Sequence, residues 1–268
     1  MKKIELELPV LPYAVEEAMN RLRINIKFCG KNTRRILITS SMPNEGKSTV
    51  SMNLWKMMAE AGFKTVFVDV DLRKSVLVDR HNFQKQGAEA DLGYYLSGLS
   101  EYEDVVYETN IENGYIVPCF NLLENPSALL EDVRFKELLD KLAEDYRYII
   151  IDSPPLVSVA DGALVATMCD GAVLVVRAGE TSKSLIKQSF QQLEQVNCKL
   201  LGTILNRVET SGRAYKKYYG KYKKGYGYGY GYGYGYGAKK KDAASTVNNS
   251  KKSGDKSEDV SVNKSDNK

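Results

Sequence analysis

The stretch RRILITSSMPNEGKSTVSMNLWKMMAEAG, residues 34–62, decides the fold class. A short run of branched apolar residues is followed by a polar loop containing Pro43 and Gly46, and then by apolar residues at helical spacing. The helical pattern stops at Gly62, a residue type that commonly follows a helix C-terminus. The order therefore predicts a strand, a loop and a helix.

The same alternation continues along the chain. Strands are predicted in TVFVDVD, YIIIDSPP, GAVLVVRAG and KLLGTILNRV, and helices in DLGYYLSG, DVRFKELLDKLAEDY and SLIKQSFQQLEQV. An earlier helix is predicted over residues 13–28, where apolar residues recur at steps of three and four. Runs such as 149–151 and 172–176 are apolar throughout, which is typical of strands buried on both faces. We predict an α/β fold with a doubly wound, mostly parallel sheet and helices on both faces.

Composition restricts the class of protein. The 268 residues are 43% hydrophobic, and no stretch approaches the roughly 18 uninterrupted apolar residues of a membrane helix. The first twelve residues carry too many charges for a secretion signal, so the cytosol is the expected location. Four well-separated cysteines and one histidine argue against a disulfide framework and a zinc cluster. We expect this histidine, His81, at the surface and Trp55 packed in the core or at an interface.

Charge and tyrosine are unevenly distributed. Residues 210–268 carry a net charge of +9 against +4 for the whole chain, so residues 1–209 carry −5. Ten of the 18 tyrosines lie beyond residue 214, and residues 225–237 alternate strictly between Gly and Tyr. We predict four regions and expect disorder in the last two. They are an N-terminal segment with a helix (1–30), the folded domain (31–209), a Tyr/Gly/Lys-rich tail (210–237) and a polar tail (238–268).

A phosphate-binding loop is predicted between the first predicted strand and its helix. Backbone N–H groups at a helix N-terminus bind phosphate oxygens. Lys47 stands at the helix start, where the helix dipole disfavours a cation unless an anion binds there. We expect Lys47 to reach the outer phosphates and the Ser48 hydroxyl to bind Mg²⁺. The full pattern has Gly five residues before Gly46, where this chain has Ser41. The predicted nucleotide contacts in this loop are Pro43, Asn44, Glu45, Gly46, Lys47, Ser48 and Thr49.

Three aspartates are predicted at the carboxyl ends of strands. Asp69 and Asp71 end VFVDVDLR, with Arg73 beyond them, and Asp152 ends the apolar strand of YIIIDSPP. Ligands of parallel α/β sheets collect at this edge. Taken singly, each aspartate could be a turn residue or a helix cap. Together with the phosphate loop they indicate a Mg²⁺-nucleotide site.

These motifs resemble those of a known family. SMPNEGKST, VFVDVDLR and YIIIDSPP are similar to the Walker A, Walker A′ and Walker B motifs of the bacterial tyrosine kinases, relatives of the deviant P-loop ATPases that serve capsule and exopolysaccharide synthesis. The resemblance runs from about residue 17 to residue 207 and includes ENPSALL, DGAVLVVR and Asn206-Arg207. The Walker A′ motif is the most discriminating, and a C-terminal tyrosine cluster is the other hallmark.

The resemblance implies an ATP- and Mg²⁺-dependent, non-specific protein-tyrosine kinase. Lys47 and the loop backbone then hold the β- and γ-phosphates, while Ser48 and Asp152 position Mg²⁺. Either Asp69 or Asp71 steers or deprotonates the incoming phenol, and the other completes the metal shell. Such transfer relies on positioning and charge stabilisation, so no His or Cys nucleophile is needed. The implied metal ligands are Ser48, Asp71 and Asp152.

The resemblance also assigns roles to two further residues, and one residue differs from the pattern of related ATPase classes. Arg73 is expected to steady the phosphates or an interface and is counted with the catalytic residues, and Asn206 is expected to contact the adenine. Partition-type and delivery-type ATPases of the same superclass carry a signature lysine at the position of Met42. The methionine therefore argues against those classes.

The tail tyrosines are the implied substrate. Glycine keeps the tail extended and adaptable, so several phenols can reach a neighbouring site in turn. Autophosphorylation in trans, from one copy of the chain to another, is then expected to regulate polysaccharide synthesis and export. The expected phosphoacceptors are Tyr215, Tyr218, Tyr219, Tyr222, Tyr226, Tyr228, Tyr230, Tyr232, Tyr234 and Tyr236.

The resemblance also implies partners. They are a membrane-anchored activator of the polysaccharide co-polymerase type, a cognate tyrosine phosphatase and further copies of the chain. Such a kinase is cytoplasmic and lies at the inner face of the membrane through its activator. The family's self-association helix carries Glu-x-x-Arg-x-x-Arg, and this chain has Glu17-x-x-Asn20-x-x-Arg23 with Arg21 adjacent. We expect Glu17, Arg21 and Arg23 at the contact, with the size of the oligomer left open.

Two alternatives use the same residues. The first is a non-kinase P-loop ATPase of the partition or cargo-positioning type, with the tail as a tether. The second is a tail that stacks its tyrosines on single-stranded nucleic acid. The acidic body and the lack of a folded aromatic platform argue against the second, so no specific nucleic-acid partner is expected.

Overall fold

A mixed sheet organises the computed structural model, which describes residues 2–87 and 89–209. Within these residues the sheet has nine strands in the order β4-β1-β5-β6-β3-β7-β2-β8-β9. The strands are β1 Lys3–Glu5, β2 Arg35–Ser40, β3 Thr65–Asp69, β4 Gln84–Gln86, β5 Tyr107–Thr109, β6 Gly114–Val117, β7 Tyr148–Asp152, β8 Gly171–Arg177 and β9 Leu200–Asn206. The expected tail regions 210–237 and 238–268 lie outside the described residues.

Nine helices in the described ranges connect and cover these strands. They are α1 Tyr13–Phe28, α2 Lys47–Glu60, α3 Leu77–Arg80, α4 Leu92–Leu96, α5 Tyr102–Val105, α6 Ser127–Glu131, α7 Val133–Asp145, α8 Asp161–Ala166 and α9 Lys183–Gln195. Each helix and strand predicted from the sequence is present.

The predicted doubly wound, mostly parallel sheet is confirmed. Strands β6, β3, β7, β2, β8 and β9 are all parallel to their neighbours in that order. The other end of the sheet is mixed, because β1 pairs antiparallel with β4 and β5 pairs antiparallel with β6. Strands β1, β4 and β5 have only three residues each and β6 has four, too few to give a hydrophobic period in the sequence.

Two apolar cores lie on opposite faces of the sheet. Ile149 and Ile151 of β7 belong to one core, with residues of α7, α8 and α9, whereas Ile150 between them belongs to the other, with residues of α1 and α2. Successive side chains of a strand point to opposite faces, so a strand covered on both sides is apolar throughout. The prediction of doubly buried strands is confirmed.

The predicted environment of Trp55 is confirmed and that of His81 is wrong. Trp55 is fully buried, and its indole N–H donates to the Thr65 carbonyl at 3.2 Å. His81 is only 3% exposed, because the N-terminal segment lies over it. Its Nδ1 is 3.1 Å from the Glu7 carbonyl oxygen, and the Glu7 N–H donates to the His81 carbonyl at 2.8 Å. The contacts come from the segment directly after β1, a strand that was not predicted from the sequence.

The contact between Gly114 and Trp55 gives a test of this packing. A Cβ on Gly114 would lie 2.8 Å from the Trp55 ring and 3.1 Å from the Ile111 carbonyl oxygen. We expect Gly114→Ala to lower the free energy of unfolding by about 1 to 3 kcal/mol, measured by urea denaturation, because a well-packed core does not accept the extra atom.

The matched control is Gly202→Ala in β9, where the added Cβ meets nothing within 4 Å. That variant should be neutral or slightly stabilised, because alanine has fewer unfolded conformations than glycine. Equal losses in the two variants would contradict the packing argument.

Candidate active site

The phosphate loop, residues 41–46, connects β2 to α2. Two of its residues have a left-handed backbone conformation, Asn44 with φ 65° and Gly46 with φ 94°. Gly46 immediately precedes α2, and a Cβ there would overlap the amide nitrogen of Asn206. Both the positive φ and the close approach of Asn206 require glycine at this position. The first N–H groups of α2 have no acceptor within the helix and are available to phosphate oxygens.

Lys47 brings the predicted metal ligands together. Its Nζ lies 2.8 Å from Asp71 Oδ2, 3.5 Å from Asp152 Oδ2 and 3.2 Å from Ser48 Oγ. The carboxylate of Asp152 also accepts a hydrogen bond of 3.0 Å from Ser51, one turn along α2. One ammonium therefore touches an oxygen of each of the three residues expected to hold Mg²⁺.

Asp69 lies beside the cluster that Lys47 forms with Asp71 and Asp152. It is directly opposite Asp152 in the register of β3 and β7, and both side chains are buried. Its carboxylate accepts a hydrogen bond of 3.2 Å from the Asp71 N–H and another from the Ser75 hydroxyl. Burial, followed by the charge of Asp152, raises the pKa of Asp69 to about 7.

The balance of charge in this cluster favours a divalent cation. Burial opposes the charge on Lys47, but Asp152 and Asp71 outweigh it and keep the Lys47 pKa above its ordinary value. Burial raises the pKa of Asp152, and the positive charge of Lys47 offsets this rise only in part. Three carboxyl groups share one ammonium, so a second cation would find oxygen ligands already assembled.

The side-chain oxygens near Lys47 can supply the protein's part of a Mg²⁺ coordination shell. Within residues 2–87 and 89–209 no group of three or more His, Cys, Asp or Glu is arranged to hold a metal ion by itself. Mg²⁺ is usually bound by one or two carboxylates together with substrate phosphates and water. The hydroxyl of Ser48 and the carboxylates of Asp71 and Asp152 match that partial set.

Arg73 is held by three groups on two segments of the chain. Its guanidinium donates to Asp161 Oδ2 at 2.6 Å, to the Glu124 carbonyl at 3.0 Å and to Ser127 Oγ at 3.0 Å. Asp161 is buried. Burial raises the pKa of Asp161, but the hydrogen bonds from Arg73 and Ser127 outweigh it, so the pKa lies below its ordinary value. Arg73 thereby joins the segment after β3 to the starts of α6 and α8.

The remaining predicted nucleotide contacts take different positions. Pro43, Asn44 and Thr49 are exposed, whereas the Glu45 side chain is buried. The amide of Asn206 at the end of β9 donates to the Glu45 carbonyl at 2.8 Å. Asn206 thus lies at the phosphate loop.

The residues predicted to form the contact between copies of the chain lie on α1. Glu17 and Arg23 are partly exposed and Arg21 is exposed, and in the described ranges none of the three has an ion pair or side-chain hydrogen bond. The expected phosphoacceptors from Tyr215 to Tyr236 lie outside the described residues. Among the described helices, none is both long enough and apolar enough to cross a bilayer.

Several side chains around the site were missed by sequence reasoning. Ser127 lies in the stretch ENPSALL, to which no role was assigned, and the others lie outside the quoted motifs; each reaches the site from a distant segment or a neighbouring turn. They are Ser51, Ser75, Ser127, Asp161 and Thr181. Only Ser51 had a usable signal, because it lies one helical turn after Ser48.

The fold and the site define a class of protein. One strand of the mostly parallel sheet leads through a glycine-containing loop into a helix that starts Lys-Ser, and aspartates lie at the ends of neighbouring strands. This arrangement is that of a P-loop nucleotide-binding domain. Residues 33–205 match a family model described as an AAA domain.

Comparison with known proteins gives the particular family. The chain is 40% identical over 208 residues to the tyrosine-protein kinase CpsD of Streptococcus agalactiae, covering 77% of this chain and 90% of that protein. Its fold is similar to the chimerical protein CapA2B2, with a TM-score of 0.68, 33% identity and coverage of 72% and 85%. The kinase domain of the Escherichia coli tyrosine kinase ETK gives a TM-score of 0.65, 28% identity and coverage of 80% for each chain. The chain belongs to the bacterial tyrosine kinase family, as the sequence motifs predicted.

The contact between Arg73 and Asp161 leads to a prediction about stability. Arg73→Met should lower the free energy of unfolding at pH 7 by about 1 to 3 kcal/mol, because a buried carboxylate loses its charged partner. The Asp161 pKa is lowered in the folded state, so its stabilising effect is present above the unfolded pKa of about 3.9 and is lost as pH falls through the folded value. Urea denaturation between pH 7 and pH 3 measures both effects.

The control is Arg177→Met, which breaks an arginine–carboxylate pair whose acid, Glu180, is largely exposed. Its cost should stay below about 1 kcal/mol. A loss for Arg73→Met that is no larger, or that grows as the pH is lowered, would contradict the proposed role of the buried pair.

Proposed function

We propose that this chain is a protein-tyrosine autokinase that transfers the γ-phosphoryl group of ATP to its own C-terminal tyrosines. The observation that carries the proposal is the placement of the Lys47 ammonium against Asp71, Asp152 and Ser48 at the start of a helix. Membership of the bacterial tyrosine kinase family supports it. The same membership weighs against the partition-type ATPase, as does Met42 in place of that class's lysine.

In this proposal the chain binds ATP through the phosphate loop. The N–H groups at the start of α2 and the Lys47 ammonium hold the β- and γ-phosphates, and Ser48, Asp71 and Asp152 hold Mg²⁺. Bound Mg²⁺ supplies positive charge that neutralises the developing charge on the phosphates. Lys47 exchanges its contacts with Asp71 and Asp152 for contacts with phosphate. Asn206, whose amide lies against the phosphate loop, is proposed to contact the adenine, as the family resemblance implies.

The transfer step needs a positioned phenol and a proton acceptor. The tyrosine oxygen bonds to the γ-phosphorus while the bond from that phosphorus to the β–γ bridging oxygen breaks and ADP leaves. The phenol proton passes to a carboxylate of the Asp69–Asp71 pair. A carboxyl group whose pKa is near neutrality, as for Asp69, suits general-base chemistry. Arg73 contributes by fixing the segment that carries both aspartates.

The substrate and partners follow from the family resemblance and the composition of the tail. Ten tyrosines between Tyr215 and Tyr236 offer repeated phosphoacceptors to a neighbouring copy. Each phosphate adds a charge of about −2, so phosphorylation reverses the sign of the basic tail. We propose that this reversal regulates capsule or exopolysaccharide synthesis together with a membrane-anchored activator and a tyrosine phosphatase. The kinase then works in the cytoplasm, at the membrane surface.

Self-association through α1 is part of the proposal. Glu17, Arg21, Ile24 and Phe28 follow one another at steps of four, three and four and therefore share one helical face. Ile24 and Phe28 are exposed, Phe28 at 81%. An exposed apolar pair beside charged residues is suited to a contact between copies.

Loss of the loop lysine tests the kinase proposal. Purified chain with Mg-ATP and the cytoplasmic segment of a candidate activator should acquire phosphotyrosine in residues 210–237, mapped by mass spectrometry. Lys47→Met should reduce this signal by about 100-fold or more, because a preorganised charge on the transferring group is removed. The control is Lys56→Met on the same helix, which loses only a pair with Glu60. ATP hydrolysis with an unmodified tail would instead indicate a cargo-positioning ATPase.

A charge on the exposed face of α1 tests self-association. Phe28→Asp should weaken assembly at least about tenfold in sedimentation velocity, because interface energy is concentrated in a few large side chains. Val133→Asp is the control, since Val133 is 61% exposed at the start of α7, outside α1. Assembly that is unchanged by Phe28→Asp, or reduced equally by both, would contradict a contact through α1.

A further inference from the structure

A buried carboxylate stands inside the phosphate loop. Glu45 is 2% exposed although it lies one residue before the loop glycine. A negative charge directed at bound phosphates would oppose them, at a Coulomb energy that rises steeply in a partly dry site. The side chain of Glu45 is directed elsewhere, and its partners indicate what it does.

The Glu45 carboxylate joins the loop to the turn after β8. One oxygen accepts a hydrogen bond of 2.8 Å from the Met42 N–H, which spans the loop itself. The other oxygen accepts a hydrogen bond from the Thr181 hydroxyl and one of 3.4 Å from the Arg177 N–H. Thr181 Oγ1 also accepts from the Arg177 N–H at 3.2 Å, which fixes the hydroxyl at the end of β8.

Two further hydrogen bonds hold the same loop from outside. The Asn206 amide donates to the Glu45 carbonyl at 2.8 Å, and the Ser189 hydroxyl of α9 lies 2.8 Å from the Ser41 hydroxyl. The loop has no regular backbone pairing of its own, and two of its residues have positive φ. Its shape is therefore set by β8, α9 and β9 as much as by β2 and α2.

We propose that Glu45 and Thr181 are positioning residues for nucleotide binding, which hold the phosphate loop in its binding shape and keep the Glu45 charge away from the phosphates. The inference rests on the proposed function. Neither side chain needs to touch the reacting atoms. Without the Thr181 hydroxyl, the carboxylate loses one of its three hydrogen-bond donors and is held less firmly within a loop that must accept anions.

This role predicts a specific pattern among four variants of the full chain. Thr181→Val removes the hydroxyl at nearly constant volume, and Thr181→Ser keeps it. Glu45→Gln keeps the shape and removes the charge, since its oxygen can accept from the Met42 N–H and its NH₂ group can donate to Thr181 Oγ1, with loss only of the 3.4 Å hydrogen bond from the Arg177 N–H. The double variant Glu45→Gln/Thr181→Val tests whether the effect of Thr181 acts through the Glu45 charge.

The measurement is the affinity for Mg-ADP by calorimetry, with the KM for ATP and kcat for tail phosphorylation. Thr181→Val should weaken ADP binding about tenfold and raise KM more than it lowers kcat, because a buried charged acceptor loses one of its hydrogen-bond donors. Thr181→Ser should bind within about threefold of the wild type. Adding Thr181→Val to Glu45→Gln should change affinity less than about threefold.

The control is Thr167→Val, which removes a hydroxyl that donates to the Leu164 carbonyl at the end of α8. It should leave ADP affinity unchanged. Unaltered binding in Thr181→Val, no rescue by Thr181→Ser, or full additivity in the double variant would each overturn the inference while leaving the kinase proposal intact. A wild-type chain that binds no ADP would overturn both.

Discussion

The ion cluster around Lys47 is the interaction on which the rest of the site depends. A largely buried ammonium is stable only when paired, and here it is paired with one carboxylate just after β3 and one at the end of β7. The carboxyl groups outnumber the ammonium, so the cluster carries charge that the protein alone does not neutralise. A magnesium–nucleotide complex brings both a cation for the carboxylates and phosphates for the lysine. Each charge of the cluster therefore meets an opposite charge of the magnesium–nucleotide complex.

The packing of the sheet keeps this cluster in register. Asp69 and Asp152 face each other because β3 and β7 pair residue for residue, and that pairing is fixed by alternate apolar side chains entering the two cores. A shift of one residue would turn every side chain of β7 to the opposite face. Asp152 would then leave Lys47, while Ile150 and Ile151 would exchange cores. The apolar strands and the charged site therefore specify the same register.

The parts of the molecule that sequence predicted are those whose information is local. The long central strands, the phosphate loop and the helix beginning at Lys47 each show in a continuous stretch, and their order was enough to predict the sheet. The short strands β1, β4, β5 and β6 were not predicted, because three or four residues do not establish a period. The error for His81 has the same origin, since its cover comes from Glu7, 74 residues away. Asp161 and Thr181 were missed because their partners, Arg73 and Glu45, are 88 and 136 residues distant.

Phosphoryl transfer makes unusual demands on such distant contacts. The reaction needs little covalent participation by the protein, so rate depends on how exactly the phosphates, the metal and the phenol are placed. The residues that touch the substrates can be placed only as well as the segments that carry them. Arg73 with Asp161 holds the segment bearing Asp69 and Asp71, and Glu45 with Thr181 holds the phosphate loop. Both contacts join the central motifs to later parts of the chain, which explains why a short motif such as GKST predicts a nucleotide site only in the context of the whole domain.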